Sequence, residues 1–292
     1  MDFHRSGTTW RKEDMAAKIA HKPPAKLFGG DALGAYAMAA VESVAGMLQS
    51  GSISVLWSLA ELQDAFAVTG DVAEIGVHHG RLFIMLCLAL NPGERAHAVD
   101  IFGDPPGSNQ ADRDQFLANL ARFHIAPEHF DLAVQDSRTL IQGQWPERAA
   151  GNIRLVSVDG DHRRDAVLRD LALAASSLNE GGVIIADDLF NPWYPTVTEA
   201  VYEFFWRQPG DMEPLAFIAA NGPVETGAAK LLMARSAFAA HYKAGLKLLN
   251  QDDLKHCDAF AGFADVPHFY FAAQPSKRTL DGAMRAILRD IT

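Results

Sequence analysis

The residues able to do chemistry in this 292-residue chain collect at the ends of short apolar runs. Glu74-Ile75-Gly76-Val77-His78-His79-Gly80 closes one run, Asp100 a second, and Asp136-Ser137 a third. A fourth ends in Asp159-Gly160-Asp161-His162 and a fifth in Asp187-Asp188. Three carboxylates, Asp159, Asp187 and Asp188, offer hard oxygen ligands suited to Mg²⁺ or another hard divalent cation. Without a cation, like charges packed together repel and take up protons. His162 follows Asp159 closely enough to stand beside a cation-bound oxygen, and imidazole is the side chain best matched to proton removal near neutral pH.

Gly76 and Gly80 bracket a turn in which a missing side chain would let a ligand reach the backbone and a helix N-terminus. A carboxylate at Asp100 can accept the hydroxyls of an adenosine ribose, so the loop is expected to bind a nucleoside. The G-x-G-x-x-G that would seat a dinucleotide pyrophosphate is absent. Glu74 before the loop suits a cationic ligand better than a phosphate. S-adenosylmethionine, with an ammonium, a sulfonium and no phosphate, fits that charge pattern.

The elements that must position these residues alternate. Short, nearly continuous apolar runs at Val72–Val77, Ala96–Ile101, Asp131–Gln135, Ile153–Val158 and Gly182–Ala186 read as strands buried on both faces. Helical patterns fill the gaps at Arg81–Leu90, Gln110–Phe123, Arg163–Leu178 and Val197–Trp206. Two further strands, Leu215–Ala219 and Lys230–Ala234, are joined by a link too short for a parallel crossover, which predicts an antiparallel hairpin. The expected class is α/β, a Rossmann-like, doubly wound, mostly parallel sheet of seven strands with its ligand beyond the carboxyl ends. Residues 1–30 are polar and broken by Pro23, Pro24, Gly29 and Gly30, which predicts an arm or lid. A helical hairpin is expected over Ala35–Leu48 and Val55–Phe66, within a domain spanning 31–236. Residues 237–292 read as an extension packed on that domain, with helices over Ala239–Leu249 and Leu280–Ile291 around the aromatic segment His268–Phe271.

Composition removes several classes of function. A formal net charge of -10, with 26 Lys plus Arg against 36 Asp plus Glu, repels polyanions, so nucleic acid is excluded as a partner. No apolar run reaches the ~18 residues of a membrane span, and no signal-peptide stretch opens the chain. Cys87 and Cys257 sit in no metal-ligand or disulfide pattern, which fits a reducing cytoplasm. Apolar surface on the hairpin and the aromatic tail segment is consistent with a homo-oligomer.

The run Glu74 to Gly80 resembles the first motif of class I S-adenosylmethionine-dependent methyltransferases, with His78 in place of the usual central glycine. Taken with Val158-Asp159-Gly160-Asp161-His162 and Ile185-Ala186-Asp187-Asp188, it is similar to the branch of macrocin- and mycinamicin-type sugar O-methyltransferases, and more widely to catechol O-methyltransferase. The resemblance covers about 71–235. It implies Asp159, Asp187 and Asp188 as metal ligands, His162 as general base, Glu74 and Gly76 near the methionine moiety, Asp100 at the ribose, and Asp136 with Ser137 at the adenine. Arg81-Leu82 depart from the small or hydroxylic residues common at those positions.

These readings converge on methyl transfer to a hydroxyl of a small polyhydroxylated acceptor, a sugar, glycoside or diol, with Phe190, Trp193 and Tyr194 as an apolar wall. A metal-independent N- or C-methyltransferase and a non-catalytic cofactor-binding module remain open alternatives.

Overall fold

The computed structural model describes residues 25–29, 31–207, 211–271, 275 and 279–291; most of the arm predicted over 1–30 lies outside them. The described residues form one nine-stranded sheet in the order β3-β2-β1-β4-β5-β7-β6-β9-β8. Strands β1 (Asp71–Ile75), β2 (Ala96–Asp100), β3 (Phe130–Val134), β4 (Ile153–Val158) and β5 (Leu178–Leu189) run parallel. Strand β7 (Ala229–Arg235) inserts antiparallel between β5 and β6 (Met212–Ile218). The order of the strands reverses between β1 and β4, since β1 pairs in parallel with both β2 and β4, and this switch point opens the crevice in which a wound sheet binds its ligand.

Helices cover both faces. One apolar cluster joins α2 (Ser50–Ala65), α3 (Arg81–Leu88), α4 (Gln110–Arg122) and α7 (Ser236–Leu249) to the sheet. The other joins α5 (Arg164–Ser177) and α6 (Pro195–Arg207) to the opposite face. Strand residues such as Val72, Ala73, Ile184 and Ile185 are wholly buried on both faces, which is why these runs are continuously apolar rather than alternating.

Two regions differ from the expectation. The first arm of the helical hairpin is only a short helix, α1 (Ala32–Ala35), that widens into a π-type turn (Tyr36–Ala40) and a tight 3-10 turn (Val41–Ser43). It ends at Val44, whose backbone is extended with φ -108° and ψ 123°. The aromatic tail segment is not a link between helices either. Its first two residues, His268 and Phe269, end β9 (Phe263–Phe269), paired with β8 (Leu254–Phe260), so the expected seven strands become nine. Ala261 and Gly262 join the two with φ of 51° and 87°, the pair of positive values that a two-residue hairpin turn requires. Helix α8 (Gly282–Ile291) follows. Among the described residues no helix is long and apolar enough to cross a membrane.

Candidate functional site

The first motif folds as the alternation of strand and helix dictates, with a loop from β1 into α3. Gly76 has φ +86°, and a Cβ on it would lie 1.9 Å from the backbone oxygen of Asp159. Only glycine lets the ends of β1 and β4 approach this closely. Gly80, also at φ +86°, starts α3 and faces the ring of Phe116 rather than the cleft. The carboxylate of Asp100 fixes the loop: Val77 and His78 each donate a backbone N–H to its Oδ2 at 2.9 Å, and Phe102 N donates to Oδ1 at 2.8 Å.

Behind this loop is a narrow cleft lined by Glu74, Gly76, His78, His79, Arg81, Asp159, Asp187 and Lys230, and covered by Ala45–Leu48. Its cavity volume is ≈ 40 Å³, room for a few waters. The cover is a strap held at both ends. Arg81 pairs with Glu42 and donates from Nη1 to Gly46 O at 2.7 Å, while Arg122 donates to Ser43 O at 3.0 Å. Further on, Gln49 donates to Gly227 O and accepts from Asn221 N. Arg81, which breaks the usual motif, is thus turned to the strap.

Lys230 is the residue sequence reasoning missed. It lies on β7 between Ala229, which pairs with Leu189, and Leu231, which pairs with Ala186, so it stands opposite a bulge in β5 formed by Asp187 and Asp188. Its side chain, 2 % exposed, donates to Asp187 Oδ2. Burial lowers the lysine's pKa, opposed by the nearby Asp159 and Glu74 carboxylates. Glu74 is itself buried, and its Oε2 has no hydrogen-bond partner among the described residues. Burial first, and then the Asp159 charge, push its carboxyl well above the ordinary range. A lone lysine within an otherwise apolar strand was the available signal, since a buried ammonium requires a buried counter-charge.

The bulge sends its two aspartates to different partners. Asp188, at φ +58°, turns toward His162 and accepts from its Nε2 at 2.6 Å. It also accepts from Asn191 Nδ2 at 2.7 Å. Asp159 Oδ1 is 3.8 Å from the same His162 nitrogen. Ligand atoms of Asp159, His162 and Asp188 all lie within 4.8 Å of one another, while Asp187 is held by Lys230. Bonding to Asp159 and Asp188 raises the His162 pKa to about 10, against an opposing effect of burial. The ring of Tyr194 stacks on His162 at 4.2 Å and 10°. Phe190, Trp193 and Tyr194 are 58 %, 54 % and 40 % exposed, an unusual concentration of aromatic surface beside a charged cluster.

The remaining expected site residues lie on the same carboxyl edge but outside the cleft. Asp136 follows β3 and pairs with Arg138, which lowers its pKa. Ser137 adjoins Asp170 of α5, a carboxylate 1 % exposed whose pKa burial pushes up to about 6, opposed by the Ser137 hydroxyl. Asp170 also sits beneath Gly160, where a Cβ would be 3.1 Å from its Oδ2.

Residues 73–189 match the sequence profile of a methyltransferase domain family. Among solved structures, the chain is similar to the O-methyltransferase TomG of Streptomyces achromogenes, involved in tomaymycin synthesis and solved with S-adenosylmethionine. That match has a TM-score of 0.50 and 18% identity, covering 70% of this chain and 90% of that one. An O-methyltransferase from Bacillus cereus, solved with S-adenosylhomocysteine, matches with a TM-score of 0.50 and 13% identity over 77% of this chain and 96% of that one. At these identities the likeness establishes the fold. No curated protein sequence matches the chain.

Proposed function

We propose that the chain, whose residues 73–189 match a methyltransferase domain family, binds S-adenosylmethionine and transfers its sulfonium methyl group to a hydroxyl of a small polyhydroxylated acceptor. The acceptor class is a sugar, glycoside or natural-product diol, and a divalent cation assists. One observation carries this reading: Asp159 lines both the cleft under the glycine loop and the cluster with His162 and Asp188. Asp187 lines both as well, so a cofactor in the first and an acceptor at the second would meet across these two side chains.

Two carboxylate oxygens and an imidazole nitrogen within 4.8 Å suit a hard or borderline divalent ion such as Mg²⁺. Asp159 and Asp188 are the carboxylates placed to hold it, with Asp187 able to join only if its pair with Lys230 opens. Such an ion, when bound, raises the acidity of a hydroxyl near it.

The chain's own residues do the rest. Glu74 Oε2, buried without a partner, is placed to accept from the cofactor's ammonium. Asp100 already accepts three backbone amides, so of its roughly four lone-pair sites about one remains for a ribose hydroxyl. Asp136 and Ser137 stand on the adenine side. With Asp159 and Asp188 engaged by a cation, these carboxylates no longer keep a proton on His162. His162 Nε2 is then free to receive the proton of the acceptor hydroxyl, whose oxygen bonds to the methyl carbon as the carbon–sulfur bond breaks. S-adenosylhomocysteine leaves as a neutral thioether. Holding both reactants in line supplies much of the acceleration, because the methyl group is already activated. Phe190, Trp193 and Tyr194 offer flat apolar surfaces to the ring of the acceptor.

The test is formation of S-adenosylhomocysteine, followed by mass spectrometry, across a panel of vicinal diols with Mg²⁺ or EDTA. Turnover with a diol, lost on chelation and in Asp159→Asn and His162→Ala, is the expected result. Full turnover after chelation and in Asp159→Asn would instead favour metal-independent N- or C-methylation. Cofactor binding with no turnover of any acceptor would favour a binding module.

A further inference from the structure

His78 stands where the resembled motif carries its central glycine. Its φ is +45°, in the left-handed region that disfavours a side chain. Histidine is among the few residues enriched there. The backbone N–H of His78 is bound to Asp100, so the conformation is fixed by the loop and the imidazole is carried at a cost.

That ring lines the cleft and forms no hydrogen bond among the described residues. The other donor side chains there are held or shielded: Arg81 Nε and His79 Nδ1 have no hydrogen-bond partner among the described residues but are buried, whereas His78 is exposed. Lys230 is held by Asp187, and both terminal nitrogens of Arg81 are held by the strap. His79 is tied through Nε2 to Asp112 Oδ1 at 3.0 Å and stacks on His78 at 3.8 Å. The acids Glu74, Asp159 and Asp187 line the cleft as well. An amino-acid tail brings both an ammonium and a carboxylate; the ionised acids can serve only the former, and only Glu74, its pKa raised by burial, could carry a proton of its own. Burial and the neighbouring His79 hold the His78 pKa below the ordinary imidazole value, leaving a neutral ring with one N–H to donate.

Resting on the methyltransferase reading, we propose that His78 donates a hydrogen bond to the α-carboxylate of S-adenosylmethionine. It thereby adds an exposed side-chain donor to a cleft lined largely by acids. His78 is a cofactor-binding residue that selects for an intact amino-acid tail.

The experiment is calorimetric titration of the full chain with two probes. S-adenosylhomocysteine carries the carboxylate, and S-adenosyl-3-thiopropylamine keeps the ammonium and lacks only the carboxylate. His78→Gly is the variant of choice because glycine is at ease at this φ, and His78→Asn retains a donor while tolerating the same backbone. The expected result is about tenfold weaker binding of S-adenosylhomocysteine to His78→Gly. The amine should bind His78→Gly within about twofold of wild type, and His78→Asn should recover part of the loss. Equal weakening of both probes, or no change in either, overturns the assignment while leaving the methyltransferase reading in place. Failure of the wild-type chain to bind either probe overturns both.

Discussion

Asp188 Oδ2 lies 2.6 Å from His162 Nε2, joining a bulged strand to the loop that follows its neighbour β4. The contact is an ion pair at neutral pH, because the carboxylates of Asp159 and Asp188 hold the histidine pKa at about 10. Its strength is testable through pH.

A histidine whose folded pKa is raised contributes stability that is complete below its unfolded value near 6.5 and is lost as pH rises through about 10. In chelator-treated protein, denaturant unfolding should show stability falling across that window by roughly 2 kcal/mol, allowing for solvent screening of a partly exposed pair. His162→Gln should be nearly flat over the same range. A wild-type curve as flat as the variant's would refute the ion pair.

Lys230 and Asp187 form a buried pair in which each needs the other. Lys230→Met leaves a buried carboxylate uncompensated and should cost about 3–5 kcal/mol. The double variant Lys230→Met/Asp187→Asn should recover most of that loss, a coupling measured by thermal or denaturant melts of the four proteins. In cation-stimulated turnover, Asp159→Asn and Asp188→Asn should be more damaging than Asp187→Asn. Equal damage from all three would place Asp187 among the ligands during catalysis.

Arg81 fastens the strap over the cleft through Glu42 and Gly46. Arg81→Ala should leave the sheet intact and speed release of S-adenosylhomocysteine by roughly three- to tenfold, read by stopped-flow displacement. Limited proteolysis should cut more readily within 41–49. An unchanged release rate would mean that the strap is held by Gln49 and Arg122 alone.

Asp170 makes the opposite kind of pH prediction. Burial raises its folded pKa to about 6, so ionisation opposes folding increasingly as pH climbs from about 4 to 6 and fully above that. Asp170→Asn should therefore be more stable than wild type at pH 7.5, by about 2 kcal/mol, and equal to it near pH 4. Destabilisation at pH 7.5 would show that the ionised carboxylate is needed, as a partner for Ser137 or the Gly160 turn.

Much was legible in the chain because burial leaves a one-dimensional trace. Strands covered on both faces must be apolar throughout, so β1, β2, β4 and β5 stand out, and the acids at their ends, Glu74, Asp100, Asp159 and Asp188, are legible in the sequence, whereas β3 is a partly buried edge strand. The β8–β9 hairpin was not. Lys255, His256, Asp258 and Ala259 on the exposed β8 carry no continuous apolar signal, and an edge strand needs none.

The amino-acid order alone determined which residues reach the carboxyl edge of the sheet, since alternation of strand and helix places every β–α turn there. It could not determine which of two adjacent aspartates points where. That choice belongs to a bulge in β5, to a left-handed φ at Asp188, and to Lys230 arriving on a strand more than forty positions later. Side-chain direction depends on the pairing of neighbouring strands, and a buried charge goes where its counter-charge is; both are properties of the folded chain.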